Sequence, residues 1–166
     1  MHLLTRTLAS FFCLTALTSA YAAKTVQIDL IDAKGKTTPI GTITMENTAY
    51  GLLLTPNLNS LPPGLHGFHV HEHPNCTHEG MDAGSHLDPA KTGKHLGPYD
   101  DSGHLGDLPV LYVDAKGNAT VVVLAPKLTA EQLDGRALMI HEGGDNYSDK
   151  PKLGGGGNRI ACGVVK

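Results

Sequence analysis

Six histidines and one aspartate, spread from residue 69 to residue 141, constrain this chain more than any other feature of its sequence. The series runs His69-x-His71, His86, His95, His104-x-x-Asp107 and His141, and nine of the ten histidines lie beyond residue 65. That is too many ligands for one tetrahedral ion, because structural zinc takes four and catalytic zinc takes three with an open position. Seven side chains suit two four-ligand ions that share one histidine. Any fold for this chain has to gather these segments.

The surrounding pattern is that of short strands. Val26, Ile28 and Leu30 alternate with Thr25, Gln27 and Asp29, which is the period of a strand with one wet face. Ala33-Lys-Gly35-Lys reads as a turn, and residues 40–46 read as the returning strand. Further strands are expected at 49–55, 65–72, 109–114, 119–124, 136–142 and 159–165, with a hairpin turn at Asp114-Ala-Lys-Gly117-Asn. Only residues 129–133 suggest a helical turn. Eight strands with almost no helix predict an all-β fold, an eight-stranded Greek-key sandwich or flattened barrel.

Two connections, 73–108 and 143–158, are much longer than the usual loop of about 4–6 residues, which marks them as functional. The first carries four of the seven candidate ligands. The second contains Gly154-Gly-Gly-Gly157 with Asp145, Asp149, Lys150 and Lys152. His69 and His71 are two apart on an expected strand and so face the same way. Together with His141 and one loop histidine they offer four imidazoles, a set that suits Cu(II). His95, His104 and Asp107 with one more imidazole suit a closed, structural zinc site. His86 lies between the groups and is the natural bridge. His73 and His78 stand outside the series and read as solvated loop residues.

The amino terminus reads as a secretory signal. A short start ending at Arg6 precedes an apolar stretch from Leu8 to Leu17, and Ala20-Tyr-Ala22 fits the small-residue cleavage pattern. The stretch is too short for a membrane anchor, which needs about 20 residues. Removal of residues 1–22 leaves one domain, Ala23 to Lys166, and loss of Arg6 takes the formal charge from −3 to −4. Nothing in that charge suggests nucleic acid. The domain keeps two cysteines, Cys76 and Cys162, and in an exported chain they argue for one disulfide. Closing so long a loop is worth roughly 4–5 kcal/mol in the chain-entropy account.

Six motifs carry a resemblance to a known family. Gly67-Phe-His69-Val-His71-Glu, Gly84-Ser-His86-Leu-Asp-Pro, Lys94-His95-Leu-Gly, Gly103-His104-Leu-Gly-Asp107-Leu-Pro, Ile140-His141-Glu-Gly-Gly-Asp145-Asn-Tyr-Ser-Asp and Gly157-Asn-Arg159-Ile-Ala-Cys162-Gly-Val resemble the copper,zinc superoxide dismutases, most nearly the periplasmic bacterial branch. The resemblance implies copper ligands His69, His71, His86 and His141, and zinc ligands His86, His95, His104 and Asp107. It implies a disulfide between Cys76 and Cys162 and an active-site arginine at Arg159. Asp145 matches a carboxylate that accepts a hydrogen bond from one histidine at each metal, and His66 matches a structural histidine.

The implied reaction converts superoxide to dioxygen and hydrogen peroxide. Copper changes oxidation state, His86 opens on the copper side to take up and return a proton, and Arg159 holds the anion. Because the chain is net negative, a local positive funnel is expected, with Lys150 and Lys152 as its candidates. Two other readings use the same histidines. A metal carrier would need no arginine beside the last strand, and a zinc hydrolase at His69, His71 and His141 would lack a placed glutamate base and leave the second site unexplained. The sequence identifies no apolar surface patch and is compatible with either a monomer or a homodimer.

Overall fold

The computed structural model describes residues 23–32 and 37–166. The expected signal segment and the turn at 33–36 lie outside the described residues. Among the described residues nine strands form: β1 Lys24–Ile31, β2 Thr37–Thr48, β3 Gly51–Leu58, β4 Gly64–His66, β5 Phe68–His71, β6 Leu111–Val113, β7 Val123–Ala125, β8 Ala137–His141 and β9 Arg159–Val164. Seven of them make one curled antiparallel sheet in the order β5-β8-β9-β1-β2-β3-β7, while β4 pairs with β6. The all-β expectation is met. The helical turn expected at 129–133 is a single 3-10 turn, Ala130–Leu133, where the Thr129 amide donates to Gln132 Oε1 at 2.8 Å.

Nine strands form instead of eight because the stretch expected at 65–72 divides at Gly67. Its amide donates to Gly143 O and its carbonyl accepts from the His141 amide, each at 2.8 Å, so it bonds across to the far loop and β8. Of the strand expected at 119–124, only the end is regular. Ala119 makes an isolated bridge to Leu58. The turn at 114–118 is as expected: Asp114 Oδ1 accepts from the amides of Lys116 and Asn118, and Gly117 takes a φ of 84°.

The sheet bends where a bulge between Ile28 and Asp29 lies against Gly41. A Cβ on Gly41 would come within 2.0 Å of Asn57 O, so the two backbones can approach only at a glycine. A second bulge, between Ile140 and His141, brings His141 opposite Arg159. Bulges of this kind re-aim the side chain that follows.

β5 is buried on both faces. Phe68 and Val70 join the main core with Ile28, Ile43, Leu54, Leu138 and Ile140, and the alternating His69 and His71 face the other way. Over that second face sits the long loop, sealed by a small cluster of Ala83, Ala137, Met139 and Cys162. The Cys76–Cys162 disulfide, with Cα atoms 5.9 Å apart, ties this loop to β9.

One side of β5 pairs with β8, and the long loop completes the other. Val70 donates to Gly106 O at 2.9 Å and accepts from the Leu87 amide at 2.8 Å, while Gly106 donates to Leu87 O at 2.9 Å. The residues flanking these contacts are His86 and Asp107, so backbone pairing alone delivers two candidate loop ligands beside the two candidates on β5. A Cβ at Gly106 would stand 2.4 Å from Val70 O and 2.8 Å from the Leu87 amide nitrogen. Gly106→Ala is therefore expected to lower the unfolding free energy of the metal-free protein by about 1–3 kcal/mol, the usual cost of overpacking. Urea titration checks this, and an unchanged midpoint would show that the loop is not held against β5 as described.

Candidate metal centre

Two groups of ligand atoms converge beneath the loop, each with its atoms within 4.8 Å of one another. They are His69, His71, His86 and His141, and His86, His95, His104 and Asp107. All seven side chains belong to buried residues. Every residue expected to ligate a metal is in one of these groups, and His86 is in both.

Hydrogen bonds on the outer nitrogens set which ring atom faces inward. His71 Nδ1–H donates to Gly84 O at 2.9 Å, and His141 Nδ1–H donates to Gly157 O at 3.3 Å. His69 Nε2–H and His95 Nε2–H both donate to Asp145, to Oδ2 at 2.7 Å and to Oδ1 at 2.8 Å respectively. The remaining nitrogens, His69 Nδ1, His71 Nε2, His86 Nε2, His95 Nδ1 and His141 Nε2, are buried without a hydrogen-bond partner. Unpartnered buried acceptors are uncommon and costly, and converging imidazole lone pairs are what a cation requires. The donor set therefore fits metal ions. Four nitrogens in the first group suit copper, and three with a carboxylate in the second suit zinc.

Asp107 is the anion of the second group. Its Oδ1 lies 2.9 Å from His86 Nδ1 and 3.3 Å from His104 Nδ1. Its Oδ2 accepts from the Gly97 amide at 3.1 Å and lies 3.0 Å from His95 Nδ1, an approach not aligned for a hydrogen bond. Asp145 spans both groups, and its Oδ1 also takes the Tyr147 amide at 2.8 Å. Gly154 is pressed against it, where a Cβ would fall 1.9 Å from Asp145 Oδ1. The glycine run of the second loop thus has a steric reason at this position.

Arg159 opens β9 opposite His141. Its guanidinium donates to Gly80 O at 2.5 Å and Gly84 O at 2.7 Å, so the disulfide-bearing loop fixes its position. Gly84 O also holds His71, which links the arginine to a ligand through one carbonyl. Lys150 and Lys152 are exposed on the second loop and belong to neither group. His66 is buried, with its ring nitrogens 2.7 Å from His141 O and 2.8 Å from Pro62 O. His73 and His78 are exposed, as expected, and His78 lies 2.6 Å from Asp82.

Comparison with known proteins agrees with this geometry. The family model described as copper/zinc superoxide dismutase (SODC) matches residues 39–165. "Superoxide dismutase [Cu-Zn] 1" of Salmonella typhimurium is 56% identical over 160 residues, covering 89% of this chain and 90% of that protein. The Legionella pneumophila "Superoxide dismutase [Cu-Zn]" is 53% identical, over 79% of this chain and 80% of its own. Among solved structures, the Brucella abortus Cu/Zn superoxide dismutase is similar with a TM-score of 0.82 at 43% identity, covering 87% of this chain and all of that one.

The metal-free site has a defined response to pH. Burial, aided by the neighbouring His86, pulls His69 down from 6.5 to about 3, and burial pulls His141 down to about 4. His95 moves the other way. Burial lowers it most among single causes, but the nearby carboxylates of Asp107 and Asp145, the latter hydrogen-bonded to the ring, together raise it to about 9. Between about pH 4 and 6.5 the unfolded chain binds more protons at His69 and His141 than the folded one, so stability falls on acidification. His95 contributes stability that is fully present below pH 6.5 and lost as pH rises through about 9. Chelator-stripped protein is therefore expected to be most stable near pH 6.5, with denaturation midpoints falling toward both pH 4.5 and pH 9. A flat profile would contradict these environments.

Proposed function

Because the chain belongs to the copper/zinc superoxide dismutase family, we propose that it converts two superoxide anions and two protons to dioxygen and hydrogen peroxide. In this reading His69, His71, His86 and His141 hold copper, and His86, His95, His104 and Asp107 hold zinc. One observation carries it: four buried imidazole nitrogens converge without a hydrogen-bond partner, and the ring that completes their group also belongs to the second group.

Bound copper supplies a one-electron couple, and bound zinc, which has none, supplies charge and geometry. The protein's residues do the rest. His86 differs from His69, His71, His95 and His141 in having both nitrogens turned toward the two groups, with no outer hydrogen bond to a carbonyl or to Asp145. It is thus the ring that can hold a proton at Nε2 and release it, while Nδ1 stays turned toward the zinc residues. Arg159 is the cation beside the first group, and its planar fork suits a diatomic anion better than a lysine ammonium does. Asp145 fixes the rings of His69 and His95 at once. Lys150 and Lys152 act at longer range, offsetting a net charge that falls from −3 to −4 with loss of Arg6 and would otherwise repel the substrate.

We also read residues 1–22 as a cleaved export signal, with residues 23–166 as the dismutase domain acting in the periplasm. The Cys76–Cys162 disulfide supports an oxidising compartment. No helix among the described residues is long and apolar enough to cross a membrane.

Metal analysis combined with superoxide decay on purified protein tests the central reading. His86→Ala should leave copper bound through three histidines, abolish the shared-ligand signature in a Co(II)-for-zinc derivative and remove most activity. Unchanged spectra would refute the bridge. At Arg159, activity should fall in the order Arg, Lys, Ala, Glu with metal content intact, and Arg159→Ala should lose roughly tenfold or more. The wild-type rate should also fall as salt rises, because screening shortens the guiding field to about 10 Å at 0.1 M. A fully active Arg159→Ala with a salt-independent rate would favour a metal carrier over an enzyme.

A further inference from the structure

The zinc residues His95 and His104 are joined by a segment without regular structure, residues 96–103, and one lysine from elsewhere in the chain holds it. Lys127 lies between β7 and the 3-10 turn at Ala130–Leu133, next to Leu128, which is buried in the main core. Its ammonium donates to three backbone carbonyls: Asp100 O at 2.7 Å, and Gly97 O and His104 O at 3.4 Å. An ammonium has three donors and no acceptor, so this lysine is fully matched by the loop it touches.

The choice of acceptors gives the contact its meaning. Gly97 is gripped from both sides, its amide by Asp107 Oδ2 and its carbonyl by Lys127. His104 is gripped in the same way, with Nδ1 toward Asp107 Oδ1 and its carbonyl toward Lys127. The two ends of the segment are therefore pinched between an anion inside and a cation outside. Between these ends Tyr99 is 72% exposed, and the Asp100 side chain accepts hydrogen bonds from Ser102 within the segment.

We infer that Lys127 is a positioning residue for zinc: it sets the separation of His95 and His104 by drawing the carbonyls of the connecting segment onto the core. The inference rests on the zinc-ligand reading given above. Two effects of opposite sign compete. As a clamp, Lys127 organises ligands and slows zinc loss. As a bare positive charge, it would repel a cation and hasten it. Partners behind metal ligands typically change metal affinity about 10–100-fold, whereas an exposed charge acts through a screened field. The clamp dominates.

The test uses fully metal-loaded protein at neutral pH, well below its unfolding temperature, with excess chelator. Zinc release is followed by a zinc-responsive dye and copper release by mass spectrometry. Lys127→Met should release zinc about 10–100-fold faster, with copper release unchanged within about twofold and new proteolytic cleavage in 97–103. Lys127→Arg, which keeps the charge and its donors, should restore most of the slow release. Lys127→Gln, which keeps a donor but not the charge, should fall between and guards against a Met variant that does not fold. Zinc release unchanged or slowed in Lys127→Met would overturn the proposal. So would equal acceleration of both metals with a lowered melting temperature, which would assign Lys127 to general stability. Failure of the underlying reading would look different: wild-type protein holding less than one zinc per chain, or Asp107→Ala retaining zinc as tightly as wild type.

Discussion

Five buried imidazole nitrogens that converge with no hydrogen-bond partner among the protein's own groups are the constraint around which this protein is arranged. Other interactions hold the rings in place. The outer hydrogen bonds orient four of them, the β5–β8 pairing places His69 and His71, and the bridge between His71 and His86 with the Leu87–Val70 backbone bond positions His86. Burial also keeps His69, His71, His86 and His141 deprotonated, so their lone pairs are free for a cation at neutral pH.

Much of this was legible in the sequence, for definite reasons. Period-two alternation marks a strand whose faces differ, and the strands around Val26 and Ile43 follow it. The candidate ligands were legible because a metal demands particular side chains, so His69, His71, His86, His95, His104, His141 and Asp107 stand out by type and spacing, and the fold brings them into two groups. Features that depend on backbone atoms were not. Gly67 breaks a strand because of carbonyls and amides far along the chain, and the role of Gly106 arises from a backbone approach to Val70. Lys127 has the sequence signature of any solvated lysine, since its acceptors are three carbonyls 23–30 residues away. Asp145 was recognisable only through family resemblance, because nothing local tells an aspartate in a glycine-rich loop that two distant rings will share it.

The two loops divide their tasks. The loop after β5 supplies ligands and is tied down at Cys76, along β5 and through Gly80 and Gly84 to Arg159. The loop after β8 adds no side chain to these two groups; it supplies Asp145, whose two oxygens reach one ring of each group. Chemistry is thereby separated from orientation. The first loop decides which atoms meet, and the second decides how two of the rings are turned.

The backbone pairing of β5 with Gly106 and Leu87 has a consequence for the chain's behaviour in company. A strand at the border of a sheet is a ready template for the strand of another molecule, and proteins usually blunt such borders with charge, proline or a covering segment. β5 carries Phe68 and Val70 and no charged residue, so the loop is its cover. Whatever loosens that loop uncovers an apolar strand with open amides and carbonyls. The residues that gather the metal-binding groups are thus also what keeps one copy of this chain from adding its β5 to the sheet of the next.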